Sequence, residues 1–513
     1  MQCASCGHAA SHDASFCSKC GARLRAVRGS AGELPHGERR RATVLFADLC
    51  GYTALNERLD PEEVAEVMNE IKAAASGIVG AHGGLVNQFV GDEVLALFGV
   101  PQRHDDDARR AVAAAFELHR YVRELGDRLG GGERLRLHTG INTGLIITQL
   151  RDQRDGLYGI TGDAVNTAAR IRSAAQPDQI WIGPATRREI DGYYATEPTP
   201  ALALRGKQNP MTPYRVLGVA ASTRFAAAQQ RGLTDFQGRQ SELEVLKQSF
   251  ASARSGKGVF VAISGRPGVG KTRLMHELSL AIPADEVSVC SAQCESYGNP
   301  PPLNPFLSLL RFALLGRADG GEDSATLLGA RLSDLPDALR AHLPVCLHLL
   351  SLCTAEFPLP REARDEALRV AILEALVAVV HALAEQRTLV LLFQDWHWAD
   401  PASDEALRRV AASIDAARVL IVVNHRPELA RGWEGCRPVE IALSPLPDAD
   451  SEALIRSLLQ SRGLPLELAA RIHQRTGGNA LFSEEVCRSL SESGARDLST
   501  VELPDTVQGV IHA

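Results

Sequence analysis

Asp48 and Asp92 each stand at the edge of an apolar run, in Thr43-Val44-Leu45-Phe46-Ala47-Asp48 and in Phe89-Val90-Gly91-Asp92-Glu93-Val94-Leu95. Carboxylates presented at strand ends can chelate a pair of hard cations, and such a pair stabilises both oxygens of an in-line phosphoryl displacement. A second chemistry is written in Gly265-Arg266-Pro267-Gly268-Val269-Gly270-Lys271-Thr272. This is a phosphate-binding loop: its backbone N–H groups cradle phosphate oxygens, Lys271 reaches the terminal phosphates and Thr272 can ligate Mg²⁺. A third lies in Cys3-x-x-Cys6 and Cys17-x-x-Cys20. Two such knuckles close a tetrahedral thiolate cage on zinc and supply folding energy to a segment too short for a core. Disulfide pairing suits a reducing compartment poorly, which leaves redox chemistry as the alternative.

The elements that must position these groups follow from pattern. Ala42 to Ala47 reads as a strand, and Gly91-Asp92 as the tight turn of a hairpin. Between them Pro61 opens a helix with Val64, Val67, Met68, Ile71, Ala75 and Val79 on one face, ended by Gly83-Gly84. Asp105 to Arg128 reads as a second amphipathic helix, and Leu135 to Ile147 as two strands around Asn142-Thr143-Gly144. Asn166 and Arg170 are four apart, on one face of a helix. Arg25 to Glu38 and Ala220 to Gly232 lack apolar periodicity and read as linkers. Gly258 to Ser264 is a continuous apolar strand leading into the phosphate-binding loop. Further apolar runs, Thr388 to Phe393 and Val419 to Val423, end in Gln394-Asp395 and Asn424-His425-Arg426, at sheet-end positions that would face the phosphates.

With 513 residues the chain is too long for one ordinary core. Apolar content of 45% with 23% charged residues is ordinary soluble usage, and a net charge of −7 argues against a general nucleic-acid or anionic-membrane surface. Val370 to Ala384 is the longest apolar helical stretch; with Glu374 and His381 inside it, it falls short of a bilayer span and reads as a buried domain helix. The chain opens on cysteines rather than on a basic-then-apolar leader, so a cytoplasmic location is expected.

On these residues, 39–218 resembles the class III adenylyl/guanylyl cyclase catalytic domain, through to Leu204-Arg205-Gly206-Lys207 and Pro213-Tyr214-Arg215-Val216. The resemblance implies a ferredoxin-like α/β sandwich that converts ATP or GTP to a 3′,5′-cyclic monophosphate and pyrophosphate. Asp48, Asp92 and the Leu49 carbonyl would hold Mg²⁺ or Mn²⁺, Asn166 would orient the ribose, and Arg170 would stabilise charge at the attacked phosphate. In this family the Asn and Arg face the metal carboxylates across a dimer interface, which implies a homodimer. Substrate contacts would come from Gly51, Tyr52, Thr53, Gln88, Arg136, Gly159 and Lys207. Gln88 stands where the family usually has a base-reading lysine and Gly159 where it has an aspartate; a site lacking groups that hydrogen-bond one base loses discrimination. Weak or purine-tolerant activity follows, with cAMP favoured over cGMP.

Residues 1–25 resemble a short zinc ribbon, with Gly7 and Gly21 after the knuckles and Phe16 before the second. Residues 234–513 resemble the AAA-like module of signal-transduction ATPases, on Phe236-Gln237-Gly238-Arg239, the phosphate-binding loop, Gln394-Asp395, Arg426 as a phosphate sensor, and Thr476-Gly477-Gly478-Asn479-Ala480-Leu481-Phe482. The expected division is a P-loop parallel sheet over 234–445 and a helical, lid-like segment over 446–513, ending short of the further helices the family carries. Gln394 replaces one of two consecutive acidic residues, and an amide neither neutralises Mg²⁺ nor takes a proton, so slow hydrolysis is expected. The competing reading is a non-catalytic dimerisation or nucleotide-sensing module switched by ATP and a regulatory partner. A DNA-binding regulator would need a helix-turn-helix or basic stripe, and the chain shows neither.

Overall fold

A computed structural model describes residues 38–58, 60–104, 106–129, 135–150, 158–203, 210–220, 224–230, 232–283, 286–295, 301–316, 335–352, 357–359, 365–427, 433 and 435–493. Cys3, Cys6, Cys17, Cys20 and Lys207, and with them the zinc expectation, lie outside the described residues.

The first unit is organised by one long strand, β1 (Glu38–Cys50), followed by α1 (Tyr52–Arg58) and α2 (Pro61–Ala81). The hairpin β2 (Gly84–Val90) and β3 (Glu93–Phe98) comes next, then α3 (Asp107–Leu129), β4 (Arg136–Leu150), β5 (Tyr158–Thr161) and α4 (Asp163–Ala174). β6 (Ile180–Ile182), α5 (Pro184–Glu189), β7 (Tyr194–Pro198) and β8 (Tyr214–Val219) complete it. The sheet runs β2-β3-β1-β4-β6-β8-β7, with β5 paired to β4. β1 is antiparallel to both of its neighbours, and alternation along it sorts its side chains onto two faces. Leu45, Ala47 and Leu49 pack under α2 and α3, whose buried residues include Val64, Ile71, Val79, Ala111 and Leu118. Val44 and Phe46 face the other way, into a smaller core with Leu95, Leu97, Ile146, Ala164 and Ala168. Period two then puts Asp48 on this second face, beneath α4.

β4 corrects the expectation of two strands: it is one strand of 15 residues, laddered to β1 from Arg136 to Thr148. The turn-forming side chains at its middle are spent on tertiary bonds instead. Asn142 Nδ2 donates to the Ala164 carbonyl at 3.2 Å, and Thr143 Oγ1 lies 2.9 Å from Thr43 Oγ1. The segment read as a linker around residue 225 also carries a short helix, α6 (Arg224–Gln230), with Phe225 edge-on to His276.

The second unit contains α7 (Gln240–Arg254), β9 (Val259–Gly265), α8 (Lys271–Ala281), β10 (Val287–Gln293), α9 (Asn304–Leu315), β11 (Thr388–Gln394), β12 (Val419–His425) and β13 (Val439–Leu443). All five strands are parallel, in the order β10-β11-β12-β9-β13. Helices on both faces explain the uninterrupted apolar runs: Leu389, Leu391 and Phe393 enter one core while Val390 and Leu392 enter the other. Against the expectation of a run too short to span a bilayer, Glu366–Gln386 of the helix Asp365–Gln386 is long and apolar enough by composition to cross a membrane, because the helix extends beyond both ends of the apolar run. Its Ala375, Leu376, Val379, Val380 and Leu383 are buried in the core with β11, as a domain helix would be. Helices Asp448–Ser461, Ala469–Thr476 and Ala480–Ser493 form a separate core on Leu454, Ile455, Leu458, Ile472, Val486 and Leu490.

Candidate active site

At the Asp48 end of the first sheet, three elements bring charge together. Register places His138 of β4 directly opposite Asp48, and its Nε2 lies 3.2 Å from Asp48 Oδ2. His138 Nδ1 lies 3.1 Å from the Ala175 carbonyl; a carbonyl only accepts, so Nδ1 carries a hydrogen. Arg172 of α4 donates through Nη1 to Asp48 Oδ2 at 2.7 Å and through Nη2 to Glu93 Oε2. Glu93 begins β3 directly after the Gly91-Asp92 turn. Burial, then the negative charge of Asp48 and Asp92, works to raise its carboxyl pKa, against the opposing pull of Arg172, and the net shift is upward. The Cys50 thiol is likewise pushed up by burial, then by Asp48 and Asp92. Asp48 and Asp92 therefore act on the same two neighbours and share one end of the sheet.

α4 is seated directly on β4. A Cβ at Gly140 would lie 2.2 Å from the Arg172 amide nitrogen and 2.5 Å from the Ala168 carbonyl oxygen, so only glycine admits this approach. Ala164, Thr167, Ala168 and Ile171 form the buried face of the helix, whereas Asn166 and Arg170 are exposed. Within one chain the inward side of α4 thus meets the metal-type carboxylate through Arg172, and the Asn166–Arg170 pair is turned outward.

The strands carrying Gln88 and Gly159 are tied together. Asn87 Nδ2 donates to the Tyr158 carbonyl at 3.0 Å and Asn87 Oδ1 accepts from the Tyr158 amide at 2.9 Å, tying the strand of Gln88 to the strand of Gly159. Gln88 sits at a register irregularity of β2. Gly51 has φ +91° and its carbonyl accepts from the Leu55 amide, while Tyr52 packs against the core below. The Thr53 side chain is outside the described residues. Arg136 donates to the Leu135 carbonyl at 2.8 Å and lies 4.0 Å from Asp178, so its guanidinium is engaged at this end of β4. Glu93, His138 and Arg172 were not singled out from sequence; the one local signal was Glu93, adjacent to Asp92.

The donor set at this end fits hard divalent cations. Asp48, Asp92 and the Leu49 carbonyl offer oxygen only, in a setting whose negative charge already raises neighbouring pKa values. Among the described residues no cluster of three or more His, Cys, Asp or Glu is arranged to hold a metal unaided. A Mg²⁺-type ion held here would keep water and substrate phosphate oxygens in its shell.

The second site lies at the carboxyl ends of the parallel strands. Gly268 and Gly270 have φ +80° and +101°, the left-handed backbone that turns successive N–H groups inward. Lys271 is buried, and its Nζ donates to the carbonyls of Gly265 at 2.6 Å and Arg266 at 3.0 Å. Thr272 follows it in α8. The Asp395 carboxylate accepts from Gln293 Nε2 at 2.8 Å and its amide donates to Asn424 Oδ1 at 3.0 Å. Gln394 Nε2 instead reaches Ser291 Oγ at 3.3 Å. Arg426 stacks over Trp398, 5.8 Å from the ring centre. His397 is held near pKa 3 by burial first, then by Arg426, Lys271 and His425. Asn479 closes the loop from the C-terminal helices: its Nδ2 donates to the Pro267 carbonyl at 3.0 Å, its Oδ1 accepts from the Phe482 amide at 3.1 Å, and the Leu481 amide donates to the Gly268 carbonyl.

Comparison with known proteins agrees with this division. The family model for the adenylate and guanylate cyclase catalytic domain matches residues 34–218, that for an AAA ATPase domain residues 235–423, and a domain of unknown function residues 447–502. An uncharacterised protein of Rhizobium meliloti is 28% identical over 478 residues, covering 91% of this chain and 46% of its own length. Adenylate cyclase 1 of the same organism is 27% identical over 196 residues, 37% of this chain and 29% of its own length. The crystal structure of the adenylyl cyclase CyaB from P. aeruginosa shares 29% identity over 36% of this chain and 97% of that one, with a TM-score of 0.34. The chain spans less than half the length of these two curated relatives. It contains a class III cyclase catalytic domain followed by an AAA ATPase domain.

Proposed function

We propose that the chain is a nucleotidyl cyclase that forms a cyclic purine mononucleotide, cAMP in preference to cGMP, and pyrophosphate, working as a homodimer under the control of its ATP-binding module. Asp48, Asp92 and the Leu49 carbonyl would hold the divalent cations. Bound there, the cations would acidify the ribose 3′-hydroxyl and neutralise the departing pyrophosphate. Asn166 positions the ribose and Arg170 faces the charge that develops on the attacked phosphate. Gln88 and the backbone at Gly159 read the base loosely, so GTP is a second substrate.

One observation carries the dimeric form of this reading: α4 turns Asn166 and Arg170 outward while Asp48 lies beneath the same helix. A second copy is the source of the groups that complete each site, and Leu145 and Ile147, exposed apolar residues of β4, give it surface to cover. At the other site Lys271 and the loop bind ATP, and with Gln394 in place of an acid the module acts as a slow switch. The zinc ribbon over Cys3, Cys6, Cys17 and Cys20 and the cytoplasmic location rest on the sequence alone.

The test is co-expression of Asp92→Ala with Asn166→Ala chains. Each variant alone is expected to be inactive, and their mixture to recover about a quarter of the unmutated activity, since half the dimers hold one intact site of two. A mixture as dead as its components sinks the composite site. The second reading, a non-catalytic ATP-switched module, is favoured by Gln88 and Gly159; it requires that neither ATP nor GTP, with Mg²⁺ or Mn²⁺, gives cyclic product above the Asp92→Ala background.

A further inference from the structure

Arg170 and Arg172 are two positions apart, so their side chains leave α4 roughly 200° apart around its axis. One faces outward; the other crosses to the sheet of its own chain and grips the carboxylate assigned to the metal. Asp48 Oδ2 accepts from Arg172 Nη1 at 2.7 Å, His138 Nε2 lies 3.2 Å from the same oxygen, and Glu93 holds the far side of the guanidinium. Arg172 Nε is buried with no hydrogen-bond partner, so the two carboxylates alone fix the head group. A cation that enters must share this carboxylate with the guanidinium or displace it.

We propose that Arg172 is a built-in counter-ion for Asp48 in the nucleotide-free protein, and that divalent cations bind by displacing it, so that metal affinity is set by competition with this guanidinium. The inference rests on the reading of Asp48 as a cation ligand. Its physical content is a charge balance. Asp48 and Glu93 pair with Arg172 at one sheet end, with the Asp92 carboxylate and the Cys50 thiol close enough to act on them. While Arg172 is in place Asp48 is largely neutralised and attracts a divalent ion weakly; once it leaves, two carboxylates lose their partner and the field on an incoming cation grows. Arg172 is a positioning residue here: it acts on substrate only through the occupancy of Asp48.

The experiment measures Mn²⁺ binding by the full-length, nucleotide-free protein from the loss of the free Mn²⁺ electron paramagnetic resonance signal, at constant pH and ionic strength. Arg172→Gln is expected to bind about tenfold tighter than the unmutated protein, a charge-assisted contact having been removed from the competition. Arg172→Lys, which keeps the charge, should stay near the unmutated value, and Asp48→Ala should remove the site in either background. An Arg172→Gln protein with an unchanged circular dichroism spectrum that binds Mn²⁺ no more tightly overturns the inference and leaves the cyclase reading standing. Mn²⁺ binding untouched by Asp48→Ala overturns the metal assignment itself, and this inference with it. Should Arg172→Gln not fold, Arg172→Met, which keeps the aliphatic stem packed, is read by the same criteria.

Discussion

The two candidate sites of this chain pose opposite electrostatic problems. At the antiparallel sheet, Asp48, Asp92 and Glu93 gather negative charge that Arg172 partly offsets. At the parallel sheet, burial first and then the positive charge of Arg426 and Lys271 hold His397 neutral, and the Lys271 ammonium rests on two carbonyls of its own loop. Under the proposed function the first site would need cations before a nucleotide, and the second would take the anion directly. The difference follows from how each sheet presents side chains. In β1 a functional group is aimed by strand alternation, so its surroundings are whatever helix covers that face. In the parallel sheet the groups sit at or just past the strand ends and at the start of α8, where backbone N–H groups and basic side chains converge without crossing a core.

The comparison is broken most severely by removing a carboxylate. Asp92→Ala is expected to lower cyclic nucleotide formation by roughly 10²–10³ while leaving ATP binding at the Lys271 loop unchanged; product assays beside calorimetric titration check both halves, and a loss of ATP binding would show that the sites are not separate. Acid sharpens the contrast next. His119, buried in the first unit against Thr139, has its pKa lowered to about 4 by burial, so below pH 6.5 the unfolded chain takes up a proton that the folded one refuses. Stability of that unit should therefore fall as pH drops from about 6.5 to about 4, by up to about 3 kcal/mol, and His119→Gln should flatten the slope. Hydrogen exchange of the β4 amides across that range is the measurement. Lys271→Ala attacks the basic site: ATP affinity there should fall roughly 10–100-fold. An intact affinity would mean that the loop backbone alone holds the phosphates. The smallest effect belongs to Asn479→Ala, which removes a bond to Pro267 and a cap on Phe482. It should loosen the C-terminal helices by about 1 kcal/mol, seen as faster exchange at the Phe482 and Ser483 amides.

Local pattern made much of this legible. The apolar face read between Val64 and Val79 is the buried face of α2, residue for residue. Strand, glycine-rich loop and helix around Lys271 fall where the motif puts them. The hairpin that carries Asp92 needed only its glycine and two alternating runs. Long-range partners were not legible. His138 is 90 residues from Asp48 and Arg172 is 124 residues away, and no periodicity links them. Only the register of β1 against β4 and the seat of α4 on Gly140 bring them together. β4 misled for a related reason: Asn142, Thr143 and Gly144 have turn chemistry, but tertiary hydrogen bonds and the close approach of Ala164 to Gly144 use those properties inside a straight strand.

That contact at Gly140 restricts α4. There backbone rests on backbone with no side chain to roll or compress, and the Asn142–Ala164 bond ties the helix to the same strand, so the two move as one piece. A signal that arrives at this domain can swing the piece whole against a neighbouring copy, or lift a single side chain from it; sliding the helix along the strand is closed to it.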